Sequence, residues 1–360
     1  MKKNPFITAT AAWLILAASC GQNSTTKSNA EQPALSNSKT ATETEAPANN
    51  ILATLLRNRA KMTSLSNIAE SGGKVYTYFD EHVPSEWMYT GEYSFAVVGN
   101  TMIYTSSDGF EYPTELHCSD LKSKNVEVIH PDINPYYVWI FGAMIVYAGK
   151  GPSNEYNKLF CFDVKTSKST FLCDAWPYNV VSCDDDFVYY KTETPNVVGC
   201  IRWDGTGEEY LEGVPFPEDL YKVEEETYYC VTSEYDYESG TGTTSVSVYS
   251  IDNNNQEGKY TLNVNQLITL KEGYAYYGNK SGIYKINLLT DQTIWIADID
   301  PDLPEALTGA GFAVGYVYGD YLYFDANYED DGLVMARLYK APLIGGKMEY
   351  LNQEWAVGGF

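Results

Sequence analysis

Histidine is nearly missing from this chain, with only His82, His117 and His130 among 360 residues. No HExxH stretch, paired CxxC or zinc-spaced Cys/His cluster occurs, so zinc chemistry has no ligand set to rest on. No GxSxG elbow is present either, which removes the usual setting of a serine nucleophile. Basic residues are scarce, 24 Lys and Arg against 48 Asp and Glu, giving a net charge of −24. Such a molecule repels phosphate backbones, which excludes nucleic acid as a partner, and attachment to anionic lipid needs a covalent anchor. Long apolar runs are missing except near the start of the chain.

That run reads as an address. Lys2 and Lys3 precede a mostly apolar stretch from Phe6 to Ala18, too short for a hydrocarbon core of about 30 Å. It ends in Ala17-Ala18-Ser19-Cys20-Gly21, which resembles the lipobox of bacterial lipoproteins. The resemblance implies that residues 1–19 are a signal peptide and that Cys20 carries the lipid. Ordinary cleavage after Ser19 is the alternative, and either route exports the protein to the cell envelope on the extracytoplasmic side. Residues 20–50 are rich in Ser, Thr, Asn and Ala with few large apolar side chains, a composition expected of a disordered tether. Residues 51–72 recover helical spacing in Leu52, Leu55, Leu56, Met62 and Leu65, expected as a short helical or irregular segment packed on the body.

The rest of the chain, 73–360, repeats. Met102-Ile103-Tyr104, Ile145-Val146-Tyr147, Phe187-Val188-Tyr189, Thr227-Tyr228-Tyr229, Tyr274-Ala275-Tyr276 and Tyr321-Leu322-Tyr323 place their last tyrosines 43, 42, 40, 47 and 47 residues apart. A turn-like pair precedes each run, such as Gly99-Asn100, Gly142-Ala143 and Glu272-Gly273, with a further short apolar run before it. A third alternating segment and a fourth follow, as in Leu159 to Asp163 and Ser169 to Cys173. Four meandering strands at this period make a blade, so the expected fold is all-β, a β-propeller of six four-stranded blades. The alternative is that Val75 to Phe79 and Trp355 to Phe360 pair to close the ring or to make a partial seventh blade.

Blade three, running from Phe187-Val188-Tyr189-Tyr190 to Trp203-Asp204-Gly205-Thr206-Gly207 and Tyr210-Leu211, resembles the repeat of bacterial propellers of unknown function. Those are similar in turn to the six-bladed propeller of low-density-lipoprotein receptors. The resemblance implies architecture alone, because the receptor's full signature is absent from every copy.

Six cysteines remain after Cys20: Cys118, Cys161, Cys173, Cys183, Cys200 and Cys230. Their repeat-equivalent placement suits small buried side chains, with disulfides as the alternative in an exported protein. The triplets Asp184-Asp185-Asp186, Glu224-Glu225-Glu226 and Glu329-Asp330-Asp331 lack the DxDxDG order of a calcium loop. No cofactor or metal is expected, and His117 reads as an ordinary strand residue.

In a propeller the second-to-third strand loops and the blade-to-blade loops share one face. Here those loops are long and carry Tyr112, Tyr156, Trp176, Tyr178, Tyr235, Tyr237 and Tyr328 among acids. Aromatics stack sugars and fill peptide pockets. The expectation is therefore a noncatalytic module, tethered at the surface, that binds a glycan or protein on this face. The alternative is a glycan-active hydrolase or lyase with carboxylates in the central funnel.

Overall fold

Alternating apolar runs of four to ten residues, broken by turns, fold here into strands of which each buries one face against the next blade. The computed structural model describes residues 46–66, 68–77, 95–107, 114–123, 125–149, 158–174, 180–236, 241–264, 267–303, 311–330 and 333–359. The chain enters through helix α1 (Ala46–Arg59), a two-residue strand β1 (Thr63–Ser64) and a hairpin of β2 (Ile68–Ser71) and β3 (Lys74–Thr77).

Six four-stranded blades follow in meander order. Blade 1 comprises β4 (Phe95–Val98), β5 (Thr101–Ser107), β6 (Thr114–Asp120) and the first part of β7 (Val126–Phe141). Blade 2 starts on the last part of β7 and adds β8 (Met144–Gly149), β9 (Lys158–Asp163) and β10 (Lys168–Cys173). Blade 3 is β11 (Val180–Cys183), β12 (Phe187–Lys191), β13 (Val197–Arg202) and β14 (Glu209–Glu212). Blade 4 is β15 (Leu220–Glu224), β16 (Thr227–Asp236), β17 (Thr241–Ser250) and β18 (Gln256–Leu262). Blade 5 is β19 (Thr269–Lys271), β20 (Tyr274–Asn279), β21 (Gly282–Asn287) and β22 (Gln292–Asp298). Blade 6 is β23 (Phe312–Tyr318), β24 (Tyr321–Asp330), β25 (Leu333–Pro342) and, past the short β26 (Gly346–Lys347), β27 (Glu349–Gly359).

The apolar cores lie between blades and run round the ring. One cluster joins blades 1 and 2 through Ile103, Leu116, Ile140 and Tyr147, the next joins blades 2 and 3, and others join 3 to 4, 4 to 5 and 5 to 6. Between blades 6 and 1 the link is the β2–β3 hairpin. Ile68 and Val75 pack on Ala336 and Leu338 of blade 6, while Ala69 and Tyr76 pack on Phe95, Met102 and Tyr104 of blade 1.

The alternative pairing of Val75–Phe79 with Trp355–Phe360 is not formed by the described residues of the two runs. β3 pairs with β2 around Gly72 and Gly73, both at positive φ, and β27 pairs with β25 as the outer strand of blade 6. Two glycines in a row close a tight hairpin locally, which avoids the entropy of joining the two ends of the chain. Blades 1 and 2 also differ from the expected separate strands. β7 continues unbroken through both, with Ile133 facing Thr114 of β6 on one side and Gly149 of β8 on the other.

α1 begins at Ala46, inside the stretch read as tether. Leu52, Leu55 and Leu56 are buried against Val181, Tyr228 and Cys230 of blades 3 and 4, while Asn50 and Thr54 face outward. Among the described residues no helix is long and apolar enough to cross a membrane.

Candidate functional site

The first strand of each blade lies innermost, and the entering segment visits these strands in turn. α1 packs on β11 and β15. β1 pairs antiparallel with β7, Thr63 opposite Ile140 and Ser64 opposite Trp139. Ser66 then bridges Phe95 of β4 through two backbone hydrogen bonds of 2.9 and 3.0 Å, and β2 packs on β4 and β23. Residues 46–77 thus line the inner wall of five blades and satisfy strand edges that would otherwise face the axis.

Two arginines fix the level of the helix. Arg57 pairs with Glu226 and, at 2.6 Å, with Asp252. Those acids sit on the first-to-second and third-to-fourth turns of blade 4, both on the short-turn face. Arg59 points inward. Its guanidinium donates to the Val180 carbonyl at 2.9 Å and lies 3.7 Å from the centre of the Trp139 ring. Burial holds its pKa down to about 10. The C-terminal end of the helix is therefore held on the short-turn side, and the long-loop face is the one opposite.

On the long-loop face, Tyr112, Tyr156, Trp176, Tyr178 and Tyr237 lie outside the described residues. Tyr235 belongs to a strand rather than a loop, because the β16–β17 ladder extends to Asp236 opposite Thr241. The Thr- and Ser-rich run there prefers extended backbone, and Ser233 and Thr244 join across the ladder at 3.0 Å. Tyr328 is likewise in a long hairpin, with β24 and β25 paired out to Asp330 and Leu333. Its side chain is only 2% exposed, which removes it from any open ligand surface.

Tyr328 belongs instead to an internally satisfied cluster. Its hydroxyl donates to Glu354, which also accepts from Arg337 at 2.7 Å and from Tyr350 at 3.4 Å. The Arg337 guanidinium lies 4.8 Å from the Tyr328 ring centre and 5.5 Å from that of Tyr350. Partial burial pushes the Glu354 carboxyl up, but these hydrogen bonds outweigh it and hold the group below its ordinary value. A carboxylate so saturated fixes the outer strand and is a poor proton donor.

A second ionisable cluster sits at the loop-face end of blade 1. His117, 1% exposed, is held by Glu115 at 3.0 Å and stacks on Tyr104 with 5.2 Å between ring centres. Burial lowers its pKa in spite of the carboxylate, so the neutral ring donates from Nε2. Sequence reasoning passed over this pair because one alternating strand does not reveal which residue will be sealed from water. The signal was the i, i+2 spacing of Glu115 and His117, which puts both on one face.

The short-turn end of blade 1 holds a shallow depression of about 300 Å³, lined by Cys118, Asp120, Glu127 and their neighbours. Asp120 is committed to its turn, accepting from the backbone N–H of Lys122 and Ser123 and from Asn100. Burial pushes the Cys118 thiol up to about 11, which removes it as a nucleophile at neutral pH. All six cysteines of the body are free thiols. Among the described residues no group of three His, Cys, Asp or Glu is placed to hold a metal ion. Asp184 caps its own turn and accepts from Tyr189, and Glu224 pairs with Lys222.

No family model and no curated protein matches the chain. Among solved structures, an acylaminoacyl peptidase of Pyrococcus horikoshii aligns at 12% identity over 83% of this chain and 47% of its own, with a TM-score of 0.39. An oligogalacturonate lyase aligns at 11% over 81% and 73%, TM-score 0.30. The propeller domain of the Trilobed protease of Pyrococcus furiosus aligns at 11% over 83% and 99%, TM-score 0.37. The chain thus spans about half the length of the first peptidase. The expectation that it is not an enzyme is corrected: the propellers it aligns with include peptidase and lyase chains. At this identity the likeness concerns fold, and no activity passes with it. The chain is a six-bladed β-propeller.

Proposed function

We propose that this propeller is exported, lipid-anchored at Cys20, and recognises a glycan or protein ligand on its long-loop face. The observation that carries the reading is the seat of residues 46–59. Arg57 ties the C-terminal end of the helix to the short turns of blade 4 and Leu52, Leu55 and Leu56 bury its apolar side in blades 3 and 4, so an anchor upstream of Ala46 would hold the propeller through a helix seated in the ring and leave the loops free. A propeller positions residues from several blades on one such face while the strands stay rigid.

The test is binding of the body, residues 46–360, to arrays of glycans and envelope or host surface proteins, with a Trp176→Ala, Tyr235→Ala, Tyr237→Ala triple variant beside it. Loss of a specific signal in the variant supports the loop face. A signal that survives the triple change, or none from the parent, overturns it. Recovering the captured ligand and weighing it reads chemistry in the same experiment, since a mass change assigns turnover to the site. Incorporation of labelled fatty acid, abolished by Cys20→Ser, tests the anchor.

A further inference from the structure

Arg59 stands on the inner wall of the ring with no acid to answer its charge. Its side chain reaches from the end of α1 to the innermost strands of blades 2 and 3. Nη1 donates to the Val180 and Val181 carbonyls of β11 at 2.9 and 3.4 Å, and Cζ lies 3.7 Å from the centre of the Trp139 ring on β7. Among the described residues the group that opposes its burial is the Cys183 thiol, not a carboxylate, and burial prevails. Arg57 and Arg337 show the ordinary outcome in this chain, pairing with Glu226 and Asp252 and with Glu354. With 48 acids against 24 bases, a buried guanidinium that meets none of them is the exception.

Polar hydrogens are in surplus around it. Nε and Nη2 of Arg59 have no partner among the described residues. Trp139 Nε1 and Ser182 Oγ, the latter one residue past Val181, are buried and have none either. Buried polar groups are nearly always satisfied, and an uncompensated buried charge is strongly unfavourable. Donors gathered without an acceptor describe a place that lacks an anion. A second cation, Lys191 of β12, is near: burial lowers its pKa, the charge of Arg59 acts in the same direction, and Glu218 and Asp219 oppose both. The free edge also sets the shape of the anion. The two carbonyls hold Nη1 and the indole holds the plane, so the side-on edge made by Nε and Nη2 stays open, and two parallel N–H groups match the two oxygens of a carboxylate. The net charge of −24 penalises every unit of ligand charge, which favours a carboxylate over a phosphate dianion.

We propose that Arg59, braced by Trp139 and the carbonyls of β11, binds the carboxylate of a small acid, a uronic acid or a peptide acid, at the inner wall of the ring, where a propeller keeps its central channel. The site is independent of the loop-face reading and shares no residue with it. Because the guanidinium is already fixed in place and already desolvated, the ligand meets a donor pair that needs no ordering.

The test uses the full chain and phenylglyoxal, which condenses with guanidinium groups. Modification of the four arginines, Arg57, Arg59, Arg202 and Arg337, is followed by peptide mass spectrometry. The probes, at equal ionic strength, are glucuronate against glucose, N-acetyl-alanyl-alanine against its amide, and inorganic phosphate. One of the two acids is expected to slow modification of Arg59 by about tenfold while its neutral counterpart does not and Arg202 is unaffected; which acid protects separates a sugar source from a peptide source. Arg59→Lys keeps the charge and loses the fork, and should weaken binding of that acid by about tenfold in isothermal titration. The proposal is overturned by an Arg59 that does not react in the free protein, by protection from neither acid or equally from acid and neutral probe, by stronger protection from phosphate, or by an unchanged titration in Arg59→Lys. Protection is read on the parent chain, so it decides the matter even where Arg59→Lys fails to fold. Trp176, Tyr235 and Tyr237 are unaltered throughout, so failure here is distinguishable from failure of the loop face.

Discussion

Gly315 shows how close the inner strands of blades 5 and 6 come. A Cβ there would stand 2.2 Å from Ile268 Cγ2 and 2.6 Å from the Tyr323 carbonyl, and its N–H donates to the Ile268 carbonyl at 2.9 Å. Gly315→Ala is expected to destabilise the ring by about 1–3 kcal/mol, read from the midpoint of a urea transition. His117 gives a pH signature. Its folded pKa lies below the ordinary 6.5, so the unfolded chain binds the extra proton more readily. Stability is full above that value and falls as pH drops below it. His117→Gln should flatten this part of the profile, measured as the melting temperature between about pH 7 and pH 5; an unchanged slope would assign it to other groups.

Among elements, α1 is the one whose role the sequence hid. Its leucine spacing announced a packed helix, and the repeated tyrosine strands announced the blades, because both depend on periodicity that a single chain displays. Where the helix packs was not legible, since it meets residues more than a hundred positions away in blades 3 and 4. Nor was the fate of Tyr328, which has the same aromatic-and-acid setting as a loop tip but is buried by Arg337 and Glu354. The Gly72-Gly73 pair was a readable hairpin signal, and the competing ring-closing pairing with the C-terminal run obscured it. Leu56 is fully buried in the core shared by α1 with blades 3 and 4. Leu56→Ala should cost about 2–4 kcal/mol in the body, measured by denaturant unfolding. A loss under about 0.5 kcal/mol would mean that the helix is not seated.

At the scale of the whole molecule, closure does not depend on the two chain ends sharing a blade. Blade 6 is completed by β27 and blade 1 by β7, each from contiguous sequence, and the hairpin inserted between them belongs to the entering segment that begins with α1. The consequence is mechanical. A pull on the N-terminus, as from a cell surface moving against an attached ligand, loads α1 first, then the two-residue pairing of β1, then the hairpin, and the blades only afterwards. In a force experiment between residue 46 and residue 360, small early releases from the helix and β1 should precede the large one. A single all-at-once rupture would instead make the inner segment as strong as the ring. The segment that fills the wall of the ring would therefore also be its shock absorber, yielding at low load so that the blades keep their shape while the inner segment gives.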